Sequence, residues 1–464
     1  MKGFVPTPID TVDTMVATLF RGRPPTATST ILDPGCGTGA FIDGVIRWCD
    51  RQALPLPSIT GVESDPRHLR VLRAKYKGSH VVRIEHRDFL SDRQAKYDYI
   101  VGNPPYVPIT SLSEVEKARY RERYATARGR FDLYLLFFEQ AIRCLASGGR
   151  LVFITPEKYL YVDTAGPLRE ILARFHVEEI RFVPEDTFGE LVTYPTITTL
   201  RHGPPGVTKV VRRDGPARSA KLPATSDSWL PVIEGYSTPS GSLTLGDLCR
   251  RLSCGVATGA DSVFVRPAAE IEPRLQRFAR PTVAGRELKD TTELAHRFVM
   301  LTPYDVDGRL IPIERLGALR SYLQQDDVRR RLLARTCVAQ KPWYAFHETP
   351  PFRDLLQPKI LCKDIGERPQ FWIDRSGTLV PRHSVYYIVP HVSAAIDVIA
   401  EYLRSPFAIE WLLRNCQRAS KGFVRLQSNV LRRLPVPEEL AETVRGMKAF
   451  GPVDPRRNQA ALAV

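Results

Sequence analysis

Through its first two hundred residues the chain repeats one pattern. A short run of apolar, often β-branched residues gives way to a longer stretch whose apolar positions recur every three or four. The runs are 28–33 (TSTILD), 57–64 (PSITGVES), 80–86 (HVVRIEH), 97–106 (YDYIVGNPPY), 150–156 (RLVFITP), 177–184 (VEEIRFVP) and 194–200 (YPTITTL). Several are nearly continuous in Val and Ile, as a strand covered on both faces requires. Helices are predicted between them: over 40–50 behind a glycine loop, over 66–76 opening on Pro66, and over 131–146. In the last, Leu133, Leu136, Phe137, Ala141 and Leu145 share a face, and Gly148-Gly149 provide the stop. This alternation of strand and helix predicts an α/β fold built on a parallel, doubly wound sheet.

The pattern breaks near residue 203. Gly203-Pro204-Pro205-Gly206, Gly215-Pro216 and a Ser/Thr/Pro/Gly-rich run at 235–243 read as a connection, with room for one strand at 207–213. Beyond it, short strand-like pieces mix with helical ones at 326–335 and 395–415, the mark of a separate α+β domain. The expected organisation is a first domain over 1–202, a linker over 203–243, a second domain over 244–438 and a tail over 439–464.

Composition adds a partner. The 464 residues carry 66 Lys and Arg against 51 Asp and Glu, a net charge of +15. An excess of that size suits a protein that meets a polyanion. No apolar run approaches the roughly 20 residues a membrane helix needs. Pro6, Pro8 and Asp10 interrupt any signal-peptide core. A cytoplasmic protein with no membrane partner is therefore expected. The eight cysteines form neither a CxxC pair nor a zinc-spaced cluster, so they read as reduced thiols, and no metal site is expected.

The candidate chemistry sits at strand ends. Asp33-Pro34-Gly35-Cys36-Gly37-Thr38-Gly39-Ala40 separates the first strand from the first glycine-loop helix. Glycines there allow a sharp turn and close approach to a ligand. By spacing, Gly35-x-Gly37-x-x-Ala40 also passes as a dinucleotide fingerprint. An acidic residue followed by GxGxG is the S-adenosylmethionine pattern. Glu63, beside Ser64 at the end of the second strand, would take ribose hydroxyls in either case. Asp88-Phe89 offers an acceptor and an apolar face for an adenine ring.

Asn103-Pro104-Pro105-Tyr106 follows the fourth strand. An aromatic exocyclic amine is a poor nucleophile because its lone pair is delocalised into the ring. Two acceptors on its N–H bonds, the Asn103 side-chain oxygen and the Pro104 carbonyl, would localise that pair. Pro104 and Pro105 hold the carbonyl rigid, and Tyr106 gives a face for an extruded base. A nicotinamide oxidoreductase has no use for this motif. An RNA or protein-glutamine N-methyltransferase would use the same chemistry, and a DNA-binding specificity component without catalysis is a further alternative.

Over residues 1 to about 202 these motifs together resemble the gamma-class, TaqI-like adenine-N6 DNA methyltransferases of restriction–modification systems. The resemblance implies the S-adenosylmethionine-dependent methyltransferase fold, a Rossmann-like seven-stranded doubly wound sheet with a C-terminal α+β target-recognition domain. It implies S-adenosylmethionine as cofactor. Thr7, Pro8 and the stretch Asp33, Pro34, Gly35, Gly37 and Gly39 would lie at its methionine end, Glu63 and Ser64 at the ribose, and Asp88 and Phe89 at the adenine. Asn103 and Pro104 would grip the target amine, with Pro105 behind them and Tyr106 on the flipped base. Phe188 best matches the aromatic on the base's other side, with Phe182 and Tyr194 nearby. More loosely, Gly255 to Asp261 is similar to a GxxTGxN segment that opens the recognition domain, with Asp261 where Asn is usual. Arg286, Lys341, Lys363, Lys421 and Arg425 are the basic residues taken as DNA contacts there. The partners implied are double-stranded DNA and a separately encoded restriction endonuclease, the protein itself being a monomer. No PD…(D/E)xK arrangement is found, so the reading is of the modification component alone.

Overall fold

The computed structural model describes residues 5–91, 95–188, 194–213, 215–235, 243–289, 294, 297–418 and 423–447. The chain divides into two compact units, Met1–Ser237 and Thr238–Val464.

The first unit is built on one sheet. Its strands are β1 (Thr30–Pro34), β2 (Ser58–Glu63), β3 (Val82–His86), β4 (Tyr97–Gly102), β5 (Leu145–Pro156), β6 (His176–Phe182) and β7 (Pro195–Arg201), joined by β8 (Thr208–Val211) and β9 (Arg218–Ala220). They lie in the order β3-β2-β1-β4-β5-β7-β6-β8-β9. The pairs from β3 through β5 are parallel, while β7 runs antiparallel to β5 and β6. All seven expected strands are present, each within a few residues of its apolar run. Their alternate side chains feed two cores, one on each face. Ile31, Tyr99, Val152 and Ile154 belong to one, and Leu32, Ile100, Leu151 and Phe153 to the other. This two-sided burial is why the strands read as continuous apolar runs.

Helices α1 (Ile9–Leu19) and α2 (Ala40–Arg51) fill the first core. Helix α3 (Pro66–Lys75) starts where the Asp65 carboxylate accepts from the Arg67 amide, with Pro66 in the first turn. Helix α4 (Glu114–Arg123) opens on a capping box between Ser113 and Glu116. Helix α5 (Leu133–Cys144) is buried along most of its length and fills the second core.

Two expectations need correction. The stretch 203–243 does not serve throughout as a linker. As far as the first unit's end at Ser237 it carries β8, which pairs with β6, then β9, and then a short helix, Leu230–Glu234. Trp229, Leu230 and Ile233 are buried in the second core and anchor it. The sheet accordingly has nine strands: the seven expected, β8 where the connection had room for one at 207–213, and β9 at the edge. Strand β5 also begins at Leu145, ahead of the glycines expected to stop the helix.

The second unit is α+β. Strands Cys249–Cys254, Val385–Pro390, Lys359–Lys363 and Phe371–Asp374 make an antiparallel sheet in that order. Leu361, Trp372 and Tyr387 face one core of this unit, and Ile360, Phe371 and Ile388 face the other, which helices Ile396–Arg404 and Pro406–Asn415 complete. No helix of the described residues is long and apolar enough to cross a membrane.

Candidate active site

Strand order reverses between β1 and β4, because β2 and β3 follow β1 to one side while β5 follows β4 to the other. In open α/β sheets ligands bind outside the carboxyl ends of strands at such a switch point. Ile31 and Leu32 of β1 sit in register with Tyr99 and Ile100 of β4. The glycine loop and the Asn-Pro-Pro-Tyr motif thus leave the sheet side by side.

The loop is made by its glycines. Gly35, Gly37 and Gly39 have φ of 78°, 54° and 89°, a left-handed backbone that side chains with a Cβ resist. The amides of Gly35 and Cys36 donate to the Val62 carbonyl at 2.8 and 2.9 Å, which ties the loop to the end of β2. The Glu63 carboxylate completes the tie. It accepts from the Gly37 amide at 2.9 Å and from the Ser64 and Asp65 amides at 2.7 Å each. Of the roughly four lone-pair positions a carboxylate offers, three are thereby used. Glu63 is 1% exposed, so its first role is to hold the loop.

Asp33, in contrast, is buried with neither carboxylate oxygen hydrogen-bonded to any described residue. Burial, and after it the charge of Glu63, pushes its carboxyl well above the usual range. A Cβ on Gly102 would lie 3.2 Å from Asp33 Oδ1, so the bare backbone at the end of β4 is what lets the two strand ends meet over this carboxyl.

Beside the loop is a cavity of about 280 Å³, bordered by Gly35, Ser64, Asp88, Phe89, Asn103 and Pro105 among others. Phe89 packs on Phe137 of α5 with ring centroids 5.2 Å apart. Asp88 Oδ1 accepts from the Leu90 amide at 2.9 Å, and Oδ2 from Arg119 of α4 at 2.9 Å. Arg119 and Phe137 border the same cavity. The sequence shows Phe137 only as a helix-face apolar residue, and nothing in it singles out Arg119.

Asn103 borders the same cavity. Its Nδ2 donates to the Val5 carbonyl and to the Thr7 hydroxyl, both at 3.1 Å. Its Oδ1 is buried and accepts from no described residue. Pro104 and Pro105 are buried behind it. The Tyr106 hydroxyl is 3.4 Å from the Ile154 carbonyl, and burial raises its pKa. The Phe188 ring stands 6.4 Å from the Tyr106 ring at 85°, so the structure brings together the two aromatics expected to flank a base. Phe182 instead packs under Arg213, whose guanidinium lies 5.5 Å from its ring, and Tyr194 is held by the same cation at 5.4 Å.

The basic residues of the second unit are more dispersed. Arg286 is exposed, 3.7 Å from Glu287. Lys341 Nζ donates to the His347 carbonyl at 2.9 Å. Lys363 lies 5.5 Å from the Trp372 ring. Arg425 is exposed on a strand where it pairs with Ile365, two residues beyond Lys363. Lys421 lies outside the described residues. In the loop at 255–261, the buried Thr258 hydroxyl donates to Asp261 and accepts from the Ala260 amide, so Asp261 serves the turn itself.

The chain is similar to known proteins. A family model described as Eco57I restriction-modification methylase matches residues 71–188, and one described as methyltransferase small domain matches residues 8–118. The chain is 28% identical over 389 residues to the type II methyltransferase M.PaeR7I of Pseudomonas aeruginosa, covering 75% of this chain and 66% of that one. It is 26% identical over 380 residues to M.XhoI of Xanthomonas vasicola, covering 74% and 68%. The chain thus matches about two thirds of the length of these relatives. Among solved structures, the type IIL restriction-modification enzyme MmeI in complex with DNA superposes with a TM-score of 0.65 at 13% identity, over 94% of this chain and 66% of that one. The homologues are type II restriction–modification methylases, and the fold is that of S-adenosylmethionine-dependent methyltransferases, which implies S-adenosylmethionine as cofactor. The residues fit it. The unpaired Asp33 oxygens suit a cationic methionyl end, the glycine loop leaves backbone within reach, and the cavity at Phe89 has room for an aromatic ring.

Proposed function

From this likeness we propose that the chain is a site-specific DNA methyltransferase that moves a methyl group from S-adenosylmethionine to adenine N6. Its target would be a base flipped out of duplex DNA, and its setting the modification half of a restriction–modification system. The observation that carries the reading is the half-buried Asn103 side chain just past the end of β4, with both amide protons engaged and its buried Oδ1 left to accept.

S-adenosylmethionine, when bound, supplies a methyl group activated by a sulfonium leaving group. Asp33 and the loop of Gly35, Gly37 and Gly39 hold its methionyl end. Glu63 keeps that loop in shape and has one acceptor position left for a ribose hydroxyl. Asp88 and Phe89 take the adenine ring, with Arg119 fixing the Asp88 carboxylate. Asn103 Oδ1 and the Pro104 carbonyl each accept an N–H of the target amine, drawing its lone pair out of the ring and toward the methyl group. No described residue donates to the Pro104 carbonyl, and the fixed φ of the two prolines keeps it aimed. The methylated nitrogen is acidic enough to lose its proton without a strong base, so the work is orientation. Tyr106 offers the base its face, and Phe188 closes one side.

A base inside a duplex cannot reach this cavity, and extruding it costs roughly a few kcal/mol. Phosphate contacts by the basic residues of the second unit, Arg286, Lys341, Lys363, Lys421 and Arg425, offset that cost.

The test is to incubate the purified protein with duplex DNA and methyl-labelled S-adenosylmethionine, digest to nucleosides and identify the product by mass spectrometry. Label in N6-methyldeoxyadenosine supports the reading. Label in a cytosine product, or only in RNA or protein, contradicts it.

A further inference from the structure

We propose that Thr7, together with the Val5 carbonyl, is the positioning element that turns Asn103 toward its substrate. The inference rests on the reading of Asn103 as the acceptor for the target amine.

An asparagine amide has two ends of similar size and opposite polarity. Presented one way, it offers an acceptor to an amine. Presented the other way, it sets its own N–H groups against the amine's N–H groups. Something must choose between the two. A backbone carbonyl can only accept, so the amide end 3.1 Å from the Val5 carbonyl is the nitrogen. The same nitrogen meets the Thr7 hydroxyl at 3.1 Å, which accepts its second proton. Both donors are then satisfied, and Oδ1 is left facing away with no described partner. The orientation follows from the neighbours and from nothing in the Asn-Pro-Pro-Tyr motif itself.

The clamp is rigid by sequence. Val5 precedes Pro6, and Thr7 precedes Pro8. A residue before proline is confined to extended backbone, and proline fixes its own φ. Helix α1 begins immediately after Pro8, and its Val12, Met15, Val16 and Leu19 are buried in the core that α2 shares. The segment is thereby anchored to the sheet that carries Asn103. No other described residue receives the Thr7 hydroxyl proton, which remains for an acceptor such as a carboxylate of the cofactor.

The test compares Thr7→Val, which keeps the shape and deletes the acceptor, with Thr7→Ser, which keeps the acceptor. Two quantities are read on the full chain: the single-turnover methyl-transfer rate on duplex DNA at saturating cofactor, and the cofactor Kd by calorimetry. Thr7→Val should slow transfer by about 10–100-fold even when cofactor is saturating, the scale of an ångström-sized misplacement of a reacting group, beyond whatever it costs in cofactor Kd. Thr7→Ser should recover most of the rate. A Thr7→Val enzyme that transfers at the wild-type rate overturns the proposal. So does one whose only defect is a weakened cofactor Kd, since Thr7 then serves the cofactor alone. If Thr7→Val also lowers thermal stability, Thr7→Ser decides, because a slow enzyme of normal stability there overturns the role of the hydroxyl. Wild-type protein that methylates no adenine is a separate failure, of the reading of Asn103 itself.

Discussion

Replacing Asp33 by Asn should stabilise the cofactor-free protein while weakening its hold on the cofactor. Asp33 is 1% exposed, and its two oxygens have no partner among the described residues. Burial first, and the Glu63 charge second, raise its pKa. In the unfolded chain the carboxyl titrates near its ordinary value of about 3.9. The folded protein therefore keeps a proton that the unfolded chain gives up as pH rises through about 4. Protein stability falls from there until the folded pKa is reached. The slope is about 1.4 kcal/mol per pH unit, and at pH 7 the accumulated penalty has a ceiling of about 4 kcal/mol. The amide of Asn carries no charge at any of these values and has nearly the same shape. The two proteins should be close near pH 4, and Asp33→Asn should gain steadily toward neutrality. Urea unfolding between about pH 5 and 8, followed by tryptophan fluorescence, reads the difference. Saturating S-adenosylmethionine should close or reverse it, because a ligand at 100 times its Kd adds about 2.7 kcal/mol to whichever protein binds it. A variant less stable than wild type across the whole range, or a difference that does not change with pH, would refute the unpaired-carboxylate account.

Phe188→Ala removes the ring that stands edge-on to Tyr106. It should weaken base extrusion by about 1–3 kcal/mol, the usual scale of base–aromatic stacking. The loss is read as lower 2-aminopurine fluorescence at the target position, with cofactor Kd unchanged. In the second unit, Lys359 and Asp374 form a buried ion pair at 2.6 Å, and burial pulls the lysine pKa down. Lys359→Met should cost about 3 kcal/mol in urea unfolding, since it leaves the buried Asp374 charge with no cation and only the Ser376 hydroxyl and the Gly377 and Leu379 amides as donors. A loss under about 1 kcal/mol, the range of an exposed pair, would contradict this. DNA affinity should fall linearly on a log–log plot against salt, and Arg425→Ala should flatten the slope by about 0.9, the value of one phosphate contact. An unchanged slope removes Arg425 from the interface.

The sheet was legible because each strand is covered twice. Ile31 and Leu32, or Val152 and Phe153, feed opposite cores, and apolar runs were therefore continuous. The glycine loop and Asn-Pro-Pro-Tyr were legible because each fixes its own backbone. The edge was legible only in part: the run at 207–213 left room for β8, while β9 and the helix after it were read as linker. Those strands have four and three residues, are half-exposed, and are separated by the glycines and prolines that also mark linkers. The pairing of β8 with β6 and the burial of Trp229 and its neighbours, contacts far away in sequence, are what show that the stretch is folded. Long-range contact is also what hid the surroundings of the site. Thr7 and Asn103 are 96 residues apart, and Arg119 reaches Asp88 from a helix with no motif of its own. Glu63 was read as a ribose ligand from its place at a strand end, yet most of its acceptor capacity goes to the amides of Gly37, Ser64 and Asp65. Spacing marks where a carboxylate is and does not say which donors reach it first.

Methyl transfer to adenine N6 through Asn103 leaves a mark in the DNA of any cell that makes the protein. Single-molecule sequencing of DNA from cells expressing the protein, beside cells expressing Asn103→Ala, tests it most directly. One recurring short sequence should carry N6-methyladenine in the first sample and none in the second, with the variant still binding S-adenosylmethionine. Adenine methylation that survives the substitution, or a wild-type sample with no modified adenine, would contradict it.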